Sequence, residues 1–112
     1  MNSGGIEQIT VDQLAERLQK KEPTILVDVR QPWEHEIASI PGSQLMPLDR
    51  LMAEAEDLEI ADGAMVVVYC HHGIRSLSGA MILGRMGHPK VVSLAGGIDR
   101  WSLRIDSGVP RY

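Results

Sequence analysis

The chain of 112 residues has the length of one domain, and its 44% hydrophobic and 23% charged residues are ordinary for a globular protein. A formal net charge of -4 disfavours a nucleic-acid-binding protein that relies on bulk positive charge. The single cysteine excludes an internal disulfide and favours a reducing compartment, and no run of about 18 apolar residues could span a bilayer. We therefore expect a cytoplasmic protein with a single domain over residues 6–112 and a flexible tail over residues 1–5.

The first half of the chain predicts helices and short buried strands in alternation. Thr10 and Gln13 have the spacing of a capping box that begins a helix over residues 11–20. Residues 24–29 are rich in β-branched residues with little alternation, which predicts a central parallel strand covered on both faces. The next predicted elements are a short helix from Pro32, a turn at residues 40–42, a brief strand over residues 44–47 and a helix over residues 48–58.

The second half contains the strongest strand signal. Residues 64–69 are almost entirely apolar, which predicts a strand at the centre of the sheet. The following elements are a helix from about Ser76 to Met86, a strand over residues 91–94, a helix from Gly96-Gly97 through Trp101 and a tail over residues 106–112 that packs back on the body. The alternation predicts an α/β fold with a central, mostly parallel sheet flanked by helices on both faces.

The loop after the central strand contains the only cysteine. Cys70 ends the strand, Gly73 allows a tight backbone turn, and Arg75 precedes the predicted helix. Unpaired amides at the helix N-terminus, the helix dipole and the guanidinium each favour a thiolate over a thiol. We therefore expect Cys70 to be substantially ionised at neutral pH and reactive. The alternative is a small apolar residue that only completes the core.

Four motifs in order resemble the rhodanese family. The active-site loop of that family has Cys, four residues, Arg and then usually Ser, which matches Cys70, Arg75 and Ser76. The other similar motifs are Asp28-Val29-Arg30 with Glu34, Ile40-Pro41-Gly42, and Leu94-Ala95-Gly96-Gly97 with Trp101. The resemblance covers about residues 6–105 and is closest to freestanding, single-domain members. The departures are Ala38-Ser39 and Ser43, where the family often has Gly-His and Ala.

The resemblance implies a sulfurtransferase of the thiosulfate sulfurtransferase type. Cys70 would take a sulfane sulfur from thiosulfate or a persulfide donor and pass it to cyanide, a thiol or a sulfur-carrier protein. The partners would be a small anionic donor and a thiol or carrier acceptor, without nucleic acid, membrane, metal or organic cofactor. A zinc site is not expected, because the cysteine and two histidines are adjacent and lack a second cluster. The implied substrate and persulfide loop comprises His71, His72, Gly73, Ile74, Arg75 and Ser76.

Two other functions stay open. The first is a phosphatase or arsenate reductase that uses the same thiolate. Related dual-specificity phosphatases have one more residue in the loop, whereas the six residues from Cys70 to Arg75 have the sulfurtransferase length. The second is a non-catalytic module that binds a protein partner, against which the intact cysteine and arginine argue.

The neighbouring polar residues are predicted to be mainly structural. Asp28, Arg30 and Glu34 follow a strand near the same edge, and we expect Arg30 and Glu34 to form an ion pair. Ser76 is as suited to capping the helix as to a catalytic part.

The two loop histidines have two possible roles. His71 and His72 are predicted to be exposed spacers that present only backbone N–H groups. The alternative is that their side chains add charge at low pH or contact an anionic donor.

Overall fold

A five-stranded parallel sheet forms the centre of the computed structural model, which describes residues 5–112. The strands are β1 (Gln8–Ile9), β2 (Thr24–Asp28), β3 (Gln44–Leu45), β4 (Met65–Tyr69) and β5 (Val91–Leu94). They lie in the order β1-β5-β4-β2-β3, and each pairing is parallel. The most apolar strand is therefore central, because both of its faces must be covered.

Helices cover both faces of this sheet. They are α1 (Val11–Gln19), α2 (Pro32–Ile37), α3 (Leu51–Glu54), α4 (Arg75–Arg85) and α5 (Gly97–Arg104). One buried cluster includes Leu14 of α1 and Trp101 of α5, and a second includes Leu51 of α3 and Leu83 of α4. Alternate residues of β4 join opposite clusters, since successive side chains of a strand point to opposite faces. The predicted α/β fold is confirmed.

The predicted helix over residues 48–58 is the main error in secondary structure. The chain instead forms a 3-10 turn at Leu48–Arg50, then α3, then a second 3-10 turn at Ala55–Asp57. The C-terminal half of the predicted helix contains several acidic residues, and the helix dipole disfavours negative charge there. β1 was not predicted, because two residues are too few to carry a pattern.

The two ends of the chain differ in what the structure describes. Residues 106–112 pack back on the body as predicted: Val109 is buried, and its carbonyl accepts a hydrogen bond from Ser102 Oγ. Of the predicted tail, residues 1–4 lie outside the described residues. Along residues 5–112, no helix has both the length and the apolar character needed to cross a membrane.

The carboxyl ends of β2, β4 and β5 meet at one edge of the sheet, because the strands are parallel. The first turn of α5 supports the loop after β4 there: the Ile98 amide donates to the Cys70 carbonyl at 2.9 Å and the Asp99 amide to the His71 carbonyl at 3.1 Å. Gly97 has φ +61°, and a Cβ at this position would collide with both carbonyl oxygens. The close approach of α5 to the loop therefore requires glycine.

Candidate active site

Cys70 lies at the end of β4, at the base of the loop that leads into α4. The residue is 1% exposed. The Gly73 amide donates to Cys70 Sγ at 3.1 Å, and the Ser76 amide donates to the same atom at 3.3 Å. Two N–H groups that converge on one sulfur stabilise negative charge on it. The sulfur of Cys70 is thus the point on which the backbone of the loop converges.

Glycine is required within the loop for conformation as well as space. Gly73 has φ +99°, a region that other residues rarely adopt. A Cβ there would also lie 3.1 Å from the Gly96 nitrogen and 3.3 Å from the Leu94 carbonyl oxygen. Ile74, the next residue, is 74% exposed. The loop therefore turns inward at the glycine and outward at the isoleucine.

Two buried serines lie beside the sulfur. The Cys70 thiol donates to Ser76 Oγ at 3.5 Å, and Ser76 Oγ lies 2.7 Å from Ser93 Oγ in β5. Of the two roles considered for Ser76, it does not have that of capping α4, because Ile74 holds the cap position without a side-chain cap bond. The serine hydroxyl instead faces the sulfur and its partner serine. Ser93 was missed, although a polar residue inside an apolar strand was a usable signal.

The predicted ion pair between Arg30 and Glu34 is also wrong. Arg30 forms a two-point pair with Asp28, at 2.8 Å from Nε to Oδ1 and 2.7 Å from Nη2 to Oδ2, and both residues are fully buried. Arg30 reaches only the backbone carbonyl of Glu34, at 3.4 Å. Residues two apart on an extended chain share a face, so Asp28 meets Arg30 first. The carboxylate of Glu34 is thereby left to face the loop.

Glu34 pairs with Arg75 of the loop. Arg75 Nη1 donates to Glu34 Oε2 at 2.7 Å and Nη2 donates to Oε1 at 2.8 Å. The guanidinium lowers the pKa of Glu34 to about 2, with smaller contributions from the Gln31 amide and a tyrosine hydroxyl. The same carboxylate raises the pKa of Arg75. The ion pair of Arg75 with Glu34 therefore joins the start of α4 to α2.

Tyr112 was not identified from the sequence. Its hydroxyl accepts from Arg30 Nη1 at 2.8 Å and donates to Glu34 Oε1 at 2.8 Å. Burial raises the pKa of Tyr112 to about 12, so the phenol is protonated at neutral pH and can donate. No sequence motif marks this residue, because its partners are 82 and 78 positions away.

The two loop histidines have different environments. His72 is exposed, as predicted, and its ring stacks on that of His71 with centroids 4.0 Å apart. His71 is half-buried and its ring stacks on Tyr112, with centroids 3.9 Å apart and planes 7° apart, so its prediction as an exposed spacer is wrong. Burial lowers the pKa of His71, which favours the neutral ring. Its Nε2 atom is buried and has no hydrogen-bond partner within residues 5–112.

The comparisons with known proteins identify the family of this chain. Residues 10–104 match the family model of the rhodanese-like domain. A sulfurtransferase of Allochromatium vinosum is 32% identical over 97 residues, which cover 87% of this chain and 89% of that protein. The Bacillus subtilis protein YrkF, named as a candidate sulfur carrier protein, is 29% identical across 90% of this chain and 54% of its own length. The chain spans between 23% and 38% of several longer relatives.

The fold comparison gives the same family. The crystal structure of a rhodanese-related protein from Thermoplasma volcanium superposes with a TM-score of 0.76 at 30% identity. The superposition covers 93% of this chain and 95% of that one. The family model covers most of the chain as well. The chain therefore belongs to the rhodanese-like family.

Proposed function

We propose that this protein is a sulfurtransferase of the thiosulfate sulfurtransferase type that carries sulfur as a persulfide on Cys70. The observation that carries the proposal is the convergence of the Gly73 and Ser76 amides on Cys70 Sγ. These donors favour the thiolate, which is the nucleophilic form of cysteine. Sulfurtransferases among the relatives support the same chemistry.

The first half-reaction forms the persulfide. The Cys70 thiolate attacks the outer sulfur of thiosulfate, a new S–S bond forms, and the old S–S bond breaks with its electron pair leaving on sulfite. No external oxidant or reductant is consumed. The terminal persulfide sulfur is an anion, so backbone amides of residues 71–76 that favour the thiolate also favour this product.

The second half-reaction discharges the sulfur. Cyanide or a thiolate attacks the terminal sulfur, the persulfide bond breaks, and its electron pair returns to Cys70 as a thiolate. We propose a small anionic donor, and a thiol or a sulfur-carrier protein as the cellular acceptor; the sulfur carrier protein name of one relative is consistent with this choice. The single cysteine fits a reducing compartment, for which we propose the cytoplasm. Residues 6–112 are proposed to act as one domain.

Phosphate or arsenate chemistry is less well supported. A phosphoryl or arsenate oxyanion needs several cationic or N–H donors. Two of the five N–H groups of Arg75 already donate to Glu34, so fewer of its donors remain for such an anion. The six-residue length from Cys70 to Arg75 also favours sulfur transfer, because a shorter loop leaves less room for a phosphate or arsenate group.

Mass spectrometry of the intact protein tests the proposal. The protein is incubated with thiosulfate, freed from excess reagent and weighed; we expect a gain of one sulfur atom that cyanide or a thiol reductant removes. Cys70 is the only cysteine, so the gain must vanish in Cys70→Ser. An unmodified protein that hydrolyses aryl phosphates would establish the phosphatase alternative. An unmodified protein without either activity would leave only the binding module.

A further inference from the structure

We propose that Tyr112 is a positioning residue of the sulfur-transfer site, which it holds together through both its hydroxyl and its ring. This inference rests on the proposed function. Tyr112 lies far from the loop in sequence, yet it contacts a residue of the loop and both ion pairs beside the loop. Its hydroxyl bonds to Arg30 and Glu34 and not to the sulfur of Cys70, so its action is exerted through other residues.

The hydroxyl joins the two ion pairs. Arg30 donates from Nη1 to Tyr112 besides its pair with Asp28, and Glu34 accepts from Tyr112 in addition to Arg75. The Arg30 guanidinium is fully buried, so loss of this acceptor would leave a buried donor with a poorer set of partners. The phenol thus couples the strand end at β2 to the first residue of α4.

The ring fixes the residue that follows the nucleophile. The Tyr112 and His71 rings are parallel within 7°, and their centroids are 3.9 Å apart. The Trp33 ring packs edge-on against the Tyr112 ring, with 6.1 Å between the centroids. The backbone carbonyl of His71 also accepts a hydrogen bond from the Asp99 amide at 3.1 Å. Two independent contacts therefore fix the first loop residue, and the path from His71 to Gly73 determines where the Gly73 amide points.

Contacts other than those of Tyr112 also hold the segment after α5, residues 105–112, against the rest of the chain. Val109 is buried and its carbonyl accepts from Ser102 Oγ. Arg111 also pairs with Asp99, at 2.9 Å from Nε to Oδ1. Because these anchors are independent of the phenol, we expect a change at residue 112 to disturb the site more than the fold.

Three variants of the full chain separate these roles. Tyr112→Phe keeps the ring and removes the hydroxyl, Tyr112→Ala removes both, and Arg111→Ala weakens the same segment without touching the tyrosine. The rate of persulfide formation is measured against thiosulfate concentration and pH, at a temperature where all three variants are folded by circular dichroism.

We expect the maximal loading rate to fall about fivefold in Tyr112→Phe and more than about tenfold in Tyr112→Ala. The thiosulfate concentration at half-maximal rate should change less than about twofold, since the residue does not bind the donor. The Tyr112 hydroxyl helps to lower the pKa of Glu34, so Tyr112→Phe should raise that pKa. The loading rate of this variant should therefore begin to fall at a higher pH than that of wild type as the solution is acidified. Arg111→Ala should match wild type.

A second readout is independent of sulfur transfer. The rate of Cys70 alkylation by iodoacetamide is recorded against pH, and we expect its midpoint to rise in Tyr112→Ala because the loop amides no longer face the sulfur. If wild type gains no sulfur, the proposed function fails while alkylation still tests Tyr112. If both tyrosine variants match Arg111→Ala in alkylation and in loading, or lose rate only in proportion to their unfolded fraction, the inference is overturned.

Discussion

The pair between Glu34 and Arg75 offers a quantitative test of how the loop is held. The substitution Glu34→Gln keeps the shape of the side chain and removes its charge. The Arg75 guanidinium lowers the pKa of Glu34 from its ordinary 4.5 to about 2, which corresponds to about 3 kcal/mol of stability at neutral pH. Arg75 is 37% exposed and water screens the pair, so we expect the variant to lose about 2 kcal/mol at pH 7.

The pH dependence of the same pair has a defined sign. A carboxyl whose pKa is lowered by folding stabilises the fold fully above its unfolded value and loses that contribution as the pH falls through the folded value. The difference in unfolding free energy between wild type and Glu34→Gln should therefore be constant above about pH 5 and shrink from pH 4.5 towards 2.

Urea denaturation followed by tryptophan fluorescence measures both effects, because unfolding exposes the buried Trp101 whereas Trp33 is already largely exposed. Glu36→Gln is the matched control, because Glu36 is an exposed residue of the same helix. A Glu34→Gln variant within about 0.5 kcal/mol of this control at pH 7, or a difference that does not change between pH 5 and 2, would refute the role assigned to the pair.

Two further substitutions test the loop that surrounds the sulfur of Cys70. Ser76→Ala removes the hydroxyl beside the sulfur but keeps the backbone amide. We expect this variant to lose about 1 kcal/mol of stability and to load sulfur severalfold more slowly. Ser78→Ala, on the exposed face of α4, is the control and should change neither quantity. Gly97→Ala should destabilise the protein by at least about 2 kcal/mol and impair loading, because its Cβ would collide with the loop carbonyls at a positive φ. Chemical denaturation and intact mass after thiosulfate treatment measure these outcomes, and an unaffected Gly97→Ala would show that α5 does not support the loop.

The elements predicted correctly from the sequence depend on local patterns. The capping box of α1 joins residues three apart, and both of its hydrogen bonds form. The apolar run of β4 predicts a central strand because burial on both faces leaves no position for alternating polar residues. The spacing from Cys70 to Arg75 likewise places the sulfur close to the N-terminus of α4.

The partners around the site were decided by tertiary structure. Glu34 is 41 residues from Arg75 and 78 from Tyr112, and Ser93 is 17 residues from Ser76. Arg30 had two carboxylates within reach in the sequence, and only the extended end of β2 selects Asp28. By itself the sequence determined most of the strands and helices and the position of Cys70 after the central strand, since burial and backbone hydrogen bonding act over a few residues. Which charged and aromatic groups meet at the sheet edge followed only from the packed fold, because side chains distant in sequence become neighbours through strand order and helix placement.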